Sequence, residues 1–65
     1  MNNDVNKNDV LLEFSQVGKQ MRVAAIDART GVEVIIITPL NATRQQMQQI
    51  AVAKLRRRIE QLKNQ

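Results

Sequence analysis

Apolar residues gather in three short runs of this chain, bounded by turn residues, then recur at helical spacing through a longer fourth. Val10 to Gln16 predicts a first strand, ended by Val17-Gly18, where the glycine supplies the positive φ of a tight turn. Lys19 to Asp27 predicts a second strand. Asp27-Ala28-Arg29-Thr30-Gly31 has the chemistry of a four-residue hairpin loop, with an aspartate to accept backbone N–H groups at its start and a glycine at its left-handed end. Val32 to Thr38 predicts a third strand, rich in β-branched residues and stopped by Pro39, which has no N–H to give to a ladder.

These turns imply a register. A two-residue first loop sets Phe14 opposite Met21, Leu12 opposite Val23 and Val10 opposite Ala25. The four-residue second loop sets Ala25 opposite Val34 and Val23 opposite Ile36. All of them share one sheet face, and a slip of one residue would turn the whole set away from it, so the two loops support each other. Asn41-Ala42-Thr43 then opens a helix, with Thr43 and Gln46 spaced as a capping box and Ala42 and Met47 as a hydrophobic staple. Met47, Ala51, Leu55, Ile59 and Leu62 form its apolar stripe, with Val52 at the edge. The expected fold is α+β: a three-stranded antiparallel β-meander followed by one C-terminal helix packed on one sheet face (β-β-β-α). Residues 1–9, polar and Asn-rich, read as a disordered arm, and 10–65 as a single domain.

The same register puts Leu11, Ala24, Ile26, Ile35 and Ile37 on the opposite face, beside Glu13, Arg22 and Glu33. A single helix covers a single face, so these aliphatics form an apolar patch rimmed by charge, the usual mark of an interface. Glu13 and Arg22 are expected to face each other across the first hairpin, as an exposed pair worth about a few tenths of a kcal/mol. Chain length strengthens the interface reading. A domain of 65 residues buries only about 60% of its unfolded surface and needs outside support. With no Cys and no His, disulfides and ordinary zinc sites are excluded, which leaves association, by default as a symmetric homodimer.

The net charge of +4 is unevenly placed: from Thr43 onward Arg44, Lys54, Arg56, Arg57, Arg58 and Lys63 stand against Glu60 alone. Consecutive arginines fan out by about 100° each on a helix, so the coherent basic flank is Lys54, Arg57 and Arg58, with Gln61 beyond them. Such a flank would bind phosphates weakly and with strong salt dependence. There is no Trp or Tyr, and the one Phe belongs to the expected core, so base-stacking platforms are missing. Three strands followed by a helix also close a double-stranded-RNA-binding domain, but here the first helix of that domain is replaced by polar residues and the helix start offers glutamines around Arg44 instead of clustered lysines.

Catalysis has little to work with. The acids are scattered, and Ser15, Thr30, Thr38 and Thr43 have no histidine to activate them. Gly18 and Gly31 are isolated turn glycines, not a phosphate-binding loop, so no enzyme activity, cofactor or metal is expected. The start of the chain lacks the basic and apolar regions of a signal peptide, and the run Val34 to Ile37 is far too short to span a bilayer, so a cytoplasmic location without a membrane is expected.

Phe14, Gly18, Val23, Ala25-Ile26-Asp27, Thr30-Gly31, Glu33-Val34, Pro39, Ala42, Ala51 and Lys54-Leu55 together resemble a family of short alphaproteobacterial proteins of unknown function. Members often have proline directly after the aspartate of the second turn, where this chain has Ala28. The resemblance implies a bacterial, cytosolic origin and brings no ligand or catalytic residue. The function expected from the residues is a protein–protein interaction or assembly module, acting as a homodimer or with an unknown protein partner through Leu11, Ala24, Ile26, Ile35 and Ile37. The alternative is a weak duplex nucleic-acid binder using Lys54, Arg57 and Arg58.

Overall fold

A computed structural model describes residues 9–64. Strands β1 (Val10–Val17), β2 (Gln20–Asp27) and β3 (Glu33–Pro39) form an antiparallel sheet in the order β1-β2-β3, and helix α1 (Arg44–Lys63) follows. This is the expected β-β-β-α arrangement. The expected arm lies outside the described residues except for Asp9, whose carbonyl accepts the Ala28 N–H at 2.8 Å and so already belongs to the ladder.

The first hairpin corrects the expected register. Phe14 pairs with Val23, Leu12 with Ala25 and Val10 with Asp27, a shift of two residues, because the turn is Gly18-Lys19 and Val17 pairs with Gln20. The physical reason is the handedness of short hairpins. Two-residue loops that match strand twist need positive φ at their first central position, which Gly18 adopts at 61° and a β-branched Val17 would resist. A shift of two leaves every side chain on its face, so the core set is unaffected while its partners change. It also separates Glu13 from Arg22: Glu13 stands opposite Ala24, and Arg22 opposite Ser15.

The second hairpin has the expected register, with Ala25 opposite Val34 and Val23 opposite Ile36. Its loop is closed by Gly31 N–H to the Asp27 carbonyl at 2.7 Å and by Asp27 N–H to the Val32 carbonyl at 2.8 Å, with Gly31 at φ 77°. The Asp27 carboxylate is buried and accepts the Thr30 hydroxyl at 2.6 Å, while the Thr30 oxygen in turn accepts the Val32 N–H. One short side-chain chain thus organises the loop.

At the start of α1 the capping box is complete. Thr43 Oγ1 accepts the Gln46 N–H at 3.0 Å, and Gln46 Oε1 accepts the Thr43 N–H at 2.9 Å. Met47, Ala51 and Leu55 are buried against Val10, Val23, Ala25, Val34 and Ile36, with Ala42, Val52 and Ile59 packed around them. Leu62, expected in the same stripe, is exposed. Twenty helical residues extend about 30 Å, whereas the seven residues of β3 extend about 23 Å, so the helix end overhangs the sheet.

α1 lies over β2 and β3. On the same face of β1, Leu12 and Phe14 are only half-buried, and the Arg44 guanidinium covers the Phe14 ring.

Candidate functional site

The face of the sheet away from α1 is a grid whose rows follow from the pairings. Leu11, Ile26 and Glu33 form one row, Glu13, Ala24 and Ile35 the next, then Ser15, Arg22 and Ile37, and finally Val17, Gln20 and Pro39. Leu11 is 40% exposed, Ile35 36% and Ile37 53%, while Ile26 is half-buried. Ala24, expected as a contact residue, is fully buried without any partner. It is a methyl group ringed by the larger side chains of Glu13, Arg22, Ile26 and Ile35, so it forms the floor of the face and offers little surface to a second molecule. The apolar band therefore runs diagonally, from Leu11 and Ile26 across to Ile35 and Ile37, with Glu13, Arg22 and Glu33 interleaved.

β3 is also an open edge. Because Asp27 and Val32 form a bonded pair, Val34, Ile36 and Thr38 bond to β2, and Glu33, Ile35 and Ile37 turn their backbone N–H and C=O groups outward. One of those outward groups is occupied. Lys54 Nζ reaches down from α1 and donates to the Ile35 carbonyl at 2.8 Å. Next to this bridge, towards the start of the helix, a groove of about 460 Å³ runs between β3 and α1, lined by Thr38, Pro39, Ala42, Gln46, Gln49 and Ile50. Ile50 is 53% exposed in this groove and lay outside the helical stripe read from the sequence. Its signal was only its position four residues before Lys54, which puts both side chains on the flank facing the β3 edge.

The three candidate phosphate contacts do not act alike. Arg57 and Arg58 are exposed on the helix, but the Lys54 ammonium is engaged by the sheet edge. A different basic grouping appears at the far end of the helix, where Arg29 of the β2–β3 loop joins Arg56 and Lys63 around a cleft floored by Val10, Leu55 and Ile59. Sequence spacing could not place Arg29 there. The buried Asp27 also lines this cleft, so its charge is mixed.

Among the described residues, no three His, Cys, Asp or Glu side chains come together as a metal-binding group, and no helix is long and apolar enough to cross a membrane. No curated protein and no solved structure matches the chain. A family model does match, and it spans residues 7–62, from before β1 to the last turn of α1: the chain belongs to the family described as a domain of unknown function, DUF6898.

Proposed function

We propose that this domain is a non-catalytic assembly module that forms a homodimer through the open face of its sheet. The observation that carries the reading is the diagonal of Leu11, Ile26, Ile35 and Ile37 around the buried Ala24 floor, which no other described residue covers, opposite a face that α1 lies on. A flat alanine floor lets a second sheet approach closely, and two sheets stack at about 10 Å when their facing side chains interdigitate. The partner is a second copy because the face is small and mixed in charge, with Glu13 and Glu33 on the outer strands and Arg22 on the central one, which suits a symmetric pairing of like surfaces.

Size sets the strength expected. Four rows about 6.7 Å apart on three strands about 4.8 Å apart give roughly 400 Å² per protomer. Twice that falls below the ~1,200 Å² of stable complexes, so the dimer is weak and depends on concentration. Sedimentation equilibrium from micromolar to millimolar concentration tests it. The wild type should shift from monomer to dimer over this range, and L11Q/I35Q should stay monomeric with an unchanged circular dichroism spectrum. A wild type that remains monomeric at millimolar concentration overturns the reading.

The second reading, weak binding of duplex nucleic acid, draws on exposed Arg57 and Arg58 and on the surplus of cations in α1. It is the weaker of the two because the Ile35 carbonyl anchors the Lys54 ammonium at the β3 edge, so of that flank only Arg57 and Arg58 can turn to follow a phosphate backbone. Titration with duplex RNA and DNA at two salt concentrations separates it from self-association, since only phosphate contacts lose affinity steeply with salt.

A further inference from the structure

The groove between β3 and α1 combines three features that are separate in the chain. Its lining holds the outward-facing strand edge at Ile37 and an apolar wall with Ile50 and Ala42, and just outside the lining, two residues along β3, the Lys54 ammonium sits on the Ile35 carbonyl. Extended peptides bind open sheet edges by adding a strand, with backbone bonds for affinity and alternate side chains in pockets for specificity. The free backbone groups of β3 decide what such a strand would meet. The Ile37 N–H and C=O both face the edge, and so does the Ile35 N–H, whereas the Pro39 carbonyl already accepts the Ala42 N–H and the Ile35 carbonyl accepts Lys54. Among the described residues the Ile37 groups and the Ile35 N–H are therefore open to a partner, and a cation occupies the Ile35 carbonyl between them and Glu33.

We propose that this groove captures the carboxyl-terminal tail of a partner protein, lying antiparallel to β3. An antiparallel chain runs from the Pro39 end towards Ile35. A residue paired with Ile37 exchanges both backbone bonds with it, and the residue two further on arrives opposite Ile35. If the chain ends there, its carboxylate receives the Ile35 N–H and stands beside the Lys54 ammonium, a charge-assisted arrangement that an internal segment cannot reproduce. Its charge also suits the site, because the Glu33 side chain is on the other face of the sheet. Counting back, the residue three places before the terminus lies opposite Thr38, so its side chain points to the helix side, into the space bounded by Ala42, Gln46, Gln49 and Ile50. An aliphatic or aromatic residue fits there. At about 460 Å³ the groove is within the range of sites that hold a few side chains.

The inference stands apart from self-association, which uses the outer face of the sheet. The test uses two synthetic pools of hexapeptides, one with free carboxyl termini and one amidated, each with Ile, Leu, Val or Phe three residues before the end. They are titrated into isotopically labelled protein, both wild type and Leu11→Gln, whose substitution lies on β1 away from the groove, and followed by amide chemical shifts. The carboxylate pool should shift the amides of residues 35 and 37 and the Ile50 methyl groups in both proteins, with the amidated pool binding about ten-fold more weakly. Lys54→Met should abolish the difference between the pools, and Ile50→Asp should weaken both. Equal binding of the two pools, or shifts that bypass residues 35, 37 and 50, overturns the proposal. So does retention of the carboxylate preference in Lys54→Met. Binding that survives in Leu11→Gln supports the groove whatever happens to the dimer.

Discussion

The guanidinium carbon of Arg44 lies 4.0 Å from the centroid of the Phe14 ring, tying the first residue of α1 to β1, the strand that the body of the helix does not lie over. A cation at a helix start opposes the macrodipole at a cost of about 0.3–1 kcal/mol, while an exposed cation–π contact gains about 0.5–1 kcal/mol. The two nearly cancel, so Arg44→Ala alone should change urea stability little. The contact is visible only as a coupling: a double-mutant cycle with Phe14→Leu should return about 0.5–1 kcal/mol. A coupling near zero would mean that the ring and the cation are neighbours without mutual stabilisation.

Thr43→Ala removes the hydroxyl that accepts the Gln46 N–H and should cost about 1 kcal/mol in denaturant melts. Thr43→Ser, which keeps the oxygen, should recover most of it. If serine is as damaging as alanine, the methyl group of Thr43 matters and not its cap.

Leu55 is the largest fully buried side chain contributed by the helix. Leu55→Ala should cost about 2–5 kcal/mol, against a total of about 3–10 kcal/mol for a chain of this length. The urea midpoint of the variant, followed by circular dichroism, should fall by roughly half. Leu62→Ala, beyond the sheet, should change stability by less than about 0.5 kcal/mol. Comparable losses at both positions would contradict the overhang of the helix end.

Gly18 carries the first hairpin at φ 61°, where nothing lies within 4 Å of the position a Cβ would take. Strain alone therefore decides the outcome. Gly18→Ala should destabilise by about 1–2 kcal/mol, whereas D-alanine at the same position, introduced by chemical synthesis, should stabilise by up to about 1 kcal/mol. Thermal melts of the two peptides distinguish this from a loop that tolerates either hand.

The second hairpin was legible because its loop chemistry is local: Asp27, Thr30 and Gly31 lie within five residues and bond to one another. The capping box at Thr43 and Gln46 was legible for the same reason. In the first hairpin, Val17-Gly18 and Gly18-Lys19 both place a glycine in a two-residue turn, and only the sign of φ at the leading position separates them. The two registers differ by an even number of residues, so both keep every side chain on the same face. Alternation alone could not show that Ala24 is a floor and not a contact, since its burial comes from the bulk of four neighbours on three strands. Neither could it show Lys54 reaching Ile35, nor Arg29 beside Arg56 and Lys63, because these meetings depend on how the helix crosses the sheet.

Burial of the Ala24 floor also has a kinetic meaning. Val23, Ala24 and Ala25 are three successive residues with no solvent exposure, although their side chains alternate between a lidded and an unlidded face, and β2 is bonded on both sides. The outward amides of β1 and β3 can exchange with water through fraying, but those at the centre of β2 have no local route to solvent. Their deuterium uptake should report the global opening of the molecule, which gives a direct scale of its stability at single-residue resolution.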